Sequence, residues 1–234
     1  MTRIFLPMDL KNRSIRLPSF SGVKTITFGD FSLIWSDGFG SGGTSLTCAN
    51  DVLDFPNLTS IDKFIADPLR GQNTISLGYS SINFPSLITI GDGNSITGGL
   101  VKQPGVSRFI TAVSFPKLES IGTYGMYFSF GNCPNLTSIS FPALKSIKSH
   151  GMSGTFSLLN HSTGGIKGEI YFPSLTTVET DAFSSCFYRN SQTSDITVVH
   201  FKKSLSSNPN CQASKLWGSS VYPTAPFSVK FDLD

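Results

Sequence analysis

Apolar residues recur along this chain in one unit, apolar-x-Phe-Pro-x-Leu-x-x-Ile/Val. It occupies positions 53–61, 82–90, 113–121, 139–147 and 170–178. The phenylalanines of the five copies, Phe55, Phe84, Phe115, Phe141 and Phe172, lie 29, 31, 26 and 31 residues apart. Self-similarity at such a period predicts a solenoid, in which each copy is one coil and cannot bury its apolar face alone.

Each position in the unit has a physical role. Apolar-x-Phe alternates with period two, so both apolar side chains point inward and the residue between them points to solvent. The proline removes an N–H and locks φ, which ends the ladder and turns the chain. Leu-x-x-Ile/Val then directs two more apolar groups inward. Stacked coils would place like residues about 4.8 Å apart in parallel rows around one continuous core. The predicted fold is therefore a β-rich solenoid with parallel strand rows.

Further residues extend the pattern. The fullest copy runs Cys133-Pro-Asn-Leu136-Thr-Ser-Ile139-Ser-Phe141-Pro142-Ala-Leu144-Lys-Ser-Ile147. Ile-Gly follows two copies, at Ile90-Gly91 and Ile121-Gly122, and Ala182-Phe183-Ser-Ser-Cys186 follows the last. Over about residues 48–201 this resembles the BspA-like leucine-rich repeats of bacterial surface proteins, with units longer than that family's usual length of about 23 residues. The resemblance implies a leucine-rich-repeat solenoid used for adhesion-type contact with proteins or glycans. The extra length of each unit is expected to form loops on one side.

A single domain, 1–234, is expected, with an N-terminal cap (1–47), repeats (48–201) and a C-terminal cap (202–234). At the front, Thr25-Ile-Thr-Phe28, Gly29-Asp30 and Phe31 to Trp35 predict a hairpin. At the back, Asn208 as N-cap, Pro209 as first position and Gly218 as stop predict a short helix. Phe227 to Leu233 then alternates as a final strand. This ending is also similar to the closing segment of repeat proteins encoded by gut bacteria and their phages.

Composition narrows the function classes. Charged residues are only 14% of the chain and the formal net charge is +3. No basic run interleaves with aromatics, so nucleic acid is not an expected partner. No apolar stretch approaches a membrane span, and no membrane insertion is expected. The apolar run after Met1 ends at Pro7, too short for the core of a signal peptide. A cell-surface or extracellular location is expected if a signal or anchor was trimmed, and a virion or cytoplasmic one otherwise.

Candidate chemistry is sparse. Cys48, Cys133, Cys186 and Cys211 form no CxxC, and His150, His161 and His200 have no adjacent ligand pattern, so neither a metal nor another cofactor is expected. Cys133 and Cys186 sit two coils apart, about 10 Å, beyond disulfide reach, and all four cysteines are expected as free thiols. Gly38-Phe-Gly40-Ser-Gly-Gly43 fits GxGxxG but lacks a following helix start and a suitably spaced acid, so it reads as a turn. A polysaccharide-active β-solenoid enzyme would need convergent carboxylates. Asp54 and Glu119 lie two coils apart on different rows, a poor acid pair, and no enzymatic activity is expected. Glu119 and Lys145 occupy equivalent positions in adjacent coils and predict a surface ion pair. Ser60, Thr89, Ser120, Ser146 and Thr177 predict a hydroxyl ladder.

Non-catalytic recognition of protein or glycan on a cell surface is thus the expected function, through an outward face poor in charge. The alternative is a structural or host-contact component of a phage virion, whose partners would be other virion proteins. Tyr124, Tyr127, Tyr171 and Tyr188 are the binding candidates, because tyrosine combines an apolar ring with a polar end. Asn83 and Asp54 join them as outward residues between the strand apolars.

Overall fold

A computed structural model describes residues 81–92, 111–131, 133–158, 164–189, 194–218 and 224–234 continuously. It also describes backbone at 15–16, 25–27, 46–48, 52–54, 59–61 and 75–77; side chains are described from Phe84 onward, and at Thr59. The chain forms a parallel β-solenoid with little helix. One row of five strands comprises Thr25–Thr27, Val52–Asp54, Ser81–Asn83, Ala112–Ser114 and Ser138–Ser140. A second row comprises Ser60–Ile61, Thr89–Ile90, Ser120–Ile121, Ser146–Ile147 and Thr177–Val178. A short N-terminal sheet joins Ile15–Arg16, Leu46–Cys48 and Ile75–Leu77. A closing sheet joins Gly168–Tyr171, Ile196–Lys202 and Ser228–Leu233. Every strand pairing among the described residues is parallel, and like repeat positions meet, as at Ile82↔Val113 and Ile121↔Ile147.

The corner between the two rows is the Phe-Pro unit. Proline stands second in a four-residue turn, where its fixed φ fits, and the Leu N–H closes the turn on the Phe carbonyl. Those bonds are 3.4 Å at Leu87, 3.3 Å at Leu118, 3.4 Å at Leu144 and 3.4 Å at Leu175. The phenylalanine rings stack along the core: Phe84–Phe115 at 5.4 Å, Phe115–Phe141 at 5.3 Å and Phe141–Phe172 at 6.2 Å. The column runs on past the last Phe-Pro, through Phe201 and Phe231. Leu87, Leu118, Leu144 and Leu175 are fully buried beside it.

The third side of the later coils is not a set of loops. Residues 122–130, 148–156 and 179–187 form superposed turns in which alternate amides bond within the coil and across to the next. Tyr124, Met126, Phe128 and Phe130 donate their N–H groups to the carbonyls of Ser149, Gly151, Ser153 and Thr155 at 2.6–3.1 Å. Between them, Gly125, Tyr127 and Ser129 donate to Gly122, Tyr124 and Met126 at 2.9–3.3 Å. His150, Met152, Gly154 and Phe156 repeat the cross-coil set. The geometry needs a left-handed residue at every fourth position: Tyr124, His150 and Asp181 in one column, and Phe128, Gly154 and Ser185 in the next. A left-handed residue with a Cβ costs roughly 1–2 kcal/mol; the doubled hydrogen bonding offsets it.

Several local expectations are corrected. Thr25–Thr27 pairs in parallel with Val52–Asp54 as a rung of the first row, whereas the rest of the expected hairpin lies outside the described residues. The C-terminal helix is two pieces. Asn208 does cap Pro209–Cys211, its side chain accepting from the Asn210 N–H at 2.9 Å. Gln212 then adopts an extended conformation before Ala213–Trp217, which Gly218 ends with φ 62°. Ser120, Ser146 and Thr177 do stack in register, but no hydrogen bond joins their hydroxyls. Neighbouring hydroxyls instead donate to carbonyls one coil back, Ser174 to Pro142 at 2.7 Å and Thr176 to Lys145 at 3.2 Å. The predicted Glu119–Lys145 pair is present at 2.9 Å. Cys133, Cys186 and Cys211 are buried free thiols, while the Cys48 side chain lies outside the described residues.

Candidate functional site

Alternation along the closing sheet sends Ile170, Val199 and Phe201 inward and puts polar residues on the opposite face. Glu169 and Tyr171 come from Gly168–Tyr171, His200 from Ile196–Lys202 and Asp232 from Ser228–Leu233. Parallel register sets Tyr171 beside His200 and His200 beside Lys230. The Tyr171 and His200 rings stack at 4.4 Å and 9°. Asp232 accepts from His200 Nδ1 at 2.8 Å, and Glu169 Oε2 lies 3.6 Å from Nε2 on the other side. The Tyr171 hydroxyl donates to the same Glu169 oxygen.

This arrangement fixes an aromatic ring in place without covering it. His200 is buried, yet Tyr171 remains 48% exposed. The equivalent position one coil earlier is Ser140, an exposed residue too short to cover a tyrosine ring. Hydrogen bonding to Glu169 raises the Tyr171 pKa, so the phenol stays a neutral donor. The hydrogen bond from His200 holds Asp232 below the ordinary carboxylate range. His200 Nε2 is shut away from solvent with no hydrogen-bond partner.

A second aromatic group stands on the turn stack, a different side of the coil. Tyr124 packs edge-on to Tyr127 at 5.4 Å and stacks on His150 at 4.8 Å. His150 Nδ1 hydrogen-bonds Ser149 Oγ at 2.9 Å, and its Nε2 lies 4.0 Å from Asp181. Asp181 in turn accepts from Lys215 at 2.9 Å, which lowers its pKa. Tyr124, His150 and Asp181 share the left-handed column, so the backbone turns themselves line these side chains up.

The structure therefore brings Tyr124 and Tyr127 together and sets Tyr171 apart from them. Tyr188 is half-buried and packs against Trp217 at 6.1 Å. The backbones of Asp54 and Asn83 pair as adjacent rungs, but their side chains lie outside the described residues. Sequence reasoning missed Glu169, His200, Asp232 and His150. One signal was available: Val199-His200-Phe201 repeats Ile170-Tyr171-Phe172, which sets His200 next to Tyr171 once the repeat is carried one coil further.

Compared with known proteins, the chain matches no family model, no curated protein and no solved structure. Among the described residues no group of three His, Cys, Asp or Glu side chains could hold a metal ion, and no helix is long and apolar enough to cross a membrane. A β-solenoid of this kind is compatible with a binding or a structural module.

Proposed function

We propose that this solenoid is a non-catalytic recognition module that binds protein or glycan at a cell surface. The outward face of its first row and closing sheet is the contact surface. The observation that carries this reading is Tyr171, a ring half open to solvent yet held on one face by His200 and at its hydroxyl by Glu169. A pre-ordered aromatic binds without the entropic cost of fixing a free side chain, and it offers an apolar plane beside a polar rim. Ser114 and Ser140, both exposed, continue the face as a low shelf of hydroxyls. The resemblance of the Phe-Pro-x-Leu units to BspA-like leucine-rich repeats supports the same reading.

The test is a binding screen of the full chain against glycans and surface proteins, followed by Tyr171→Ala. Loss of an anchoring aromatic is expected to weaken binding roughly 30-fold or more. Full binding by Tyr171→Ala, Tyr124→Ala and Tyr127→Ala alike would refute the assignment, and so would a screen in which neither class is retained.

A further inference from the structure

The turn stack is closed at its C-terminal end, and the closing sheet is not. The Ser185 and Phe187 N–H groups donate to the carbonyls of Lys215 and Leu216 at 2.9 and 3.0 Å, so Ala213–Trp217 covers the stack. Beside it, Asn208 Nδ2 donates to the Val178 carbonyl at 2.9 Å, and Asn210 accepts from the Asp181 N–H at 3.0 Å. The closing sheet ends instead on Ser228–Leu233, an edge strand whose far side pairs with no other strand among the described residues. The core is open at the same place. Ala213, Ala225, Val229 and Phe231 pack against it only half-buried, and Phe231 ends the stacked phenylalanine column.

Edge strands are commonly guarded by an exposed lysine or a bulge. This one carries Lys230 and slips register at Lys202↔Leu233, yet its charges are placed so that a second copy answers them. Val229, Phe231 and Leu233 are half-buried, whereas Ser228, Lys230 and Asp232 are exposed. Between earlier coils, Phe115 donates its N–H to the Ser140 carbonyl and Phe172 to that of His200, each at 3.0 Å. The same step carried one coil on takes Phe201 to Lys230, and strand alternation turns the Val229 and Phe231 amides to the open edge. Two such strands, antiparallel and centred on Phe231, exchange these amides. That register sets Lys230 of each copy opposite Asp232 of the other and brings the two Phe231 rings together on the core side. Centring on Lys230 or on Asp232 opposes like charges and is unfavourable. A head-to-tail stack onto Thr25–Thr27 offers the two charges no partner.

We infer that Ser228–Leu233 pairs with the same strand of a second copy about a twofold axis at Phe231, giving a closed dimer. The axis stands perpendicular to the sheet, so both outward faces lie on one side. The two Tyr171 rings then stand about 25 Å apart, across five strand spacings. Two recognition faces engage one surface together. That consequence rests on the proposed function; the dimer itself does not.

Sedimentation velocity of the full chain tests the pairing, with circular dichroism confirming that each variant is folded. A reversible monomer–dimer equilibrium in the micromolar range is expected, with no larger species. Lys230→Asp and Asp232→Lys each oppose like charges across the axis and should weaken self-association roughly tenfold or more. Mixing the two variants should restore dimers, because every cross-strand charge pair is then of unlike sign. Should Asp232→Lys fail to fold for want of its bond to His200, Lys230→Asp alone decides, and dimerisation at wild-type strength refutes the register. A chain that stays monomeric throughout that range, open-ended assemblies, or two folded variants that do not associate on mixing would each overturn the inference.

Discussion

Gly122 sets how closely two coils can approach. A Cβ built there would stand 2.4 Å from the Gly91 carbonyl carbon, 2.5 Å from its oxygen and 2.6 Å from the Asp92 nitrogen. All three are backbone atoms, so no side chain can swing aside. Ordinary contact begins near 3.4 Å, and Gly122→Ala must therefore open this junction by about 1 Å. The Gly122 N–H bond to the Ile90 carbonyl, 2.7 Å long, lies across the same gap. Overpacking of this kind costs about 1–3 kcal/mol, and the weakened hydrogen bond adds about 1 kcal/mol. At this chain length a loss of about 2–4 kcal/mol lowers the unfolding midpoint by roughly 4–16 °C. Circular dichroism melting measures it. Gly168 is the control: a Cβ there meets nothing within 4 Å, and only its φ of +73° resists substitution. Gly168→Ala should cost roughly 1–2 kcal/mol. If Gly122→Ala melts with the wild type, or above Gly168→Ala, coil spacing is not limited at this glycine.

Phe141→Ala removes a ring stacked between Phe115 and Phe172 and should destabilise the chain by about 3–5 kcal/mol, read as a shift in urea midpoint; a loss below about 1 kcal/mol would contradict the stacked core. Asp92 is held below its ordinary 3.8 chiefly by the Thr123 N–H and then by Lys148, and Asp181 by Lys215. Their folded pKa values are depressed, so their stabilisation is complete above the unfolded value and is lost as pH falls through the folded one. Urea midpoints should therefore drop below about pH 4, and the double variant Asp92→Asn, Asp181→Asn should show a shallower drop than wild type. Burial pushes up the Cys133 and Cys186 thiols, and pushes Cys211 up to about 12. Maleimide labelling mapped by mass spectrometry at pH 7 should leave these three unmodified until the chain is denatured, and native labelling of Cys133 or Cys186 would show the core to be open.

The rows were legible because Phe-Pro-x-Leu couples a period-two stretch to a residue that must end it. Nothing but a strand and a corner satisfies both demands. The Glu119–Lys145 pair followed from that register alone. The turn stack escaped because its left-handed positions carry Tyr124, His150 and Asp181 rather than glycine, and these share no side-chain chemistry that marks them as equivalent. His200 and Asp232 escaped because Phe201 is followed by Lys202 instead of proline, so the motif ends while the core column continues. The split helix turns on Gln212, whose extended backbone no local residue preference announces.

Mechanically, the turn stack makes the molecule direction-dependent. Its cross-coil bonds, like those of the strand rows, join each coil to the next and so lie along the solenoid axis. Tension along that axis loads one junction at a time and peels coils in sequence. Tension across a coil loads many junctions in shear. Each released coil of 26–31 residues would lengthen the tether by roughly 100 Å. Pulled from its two ends, the chain would yield in discrete steps, one coil at a time.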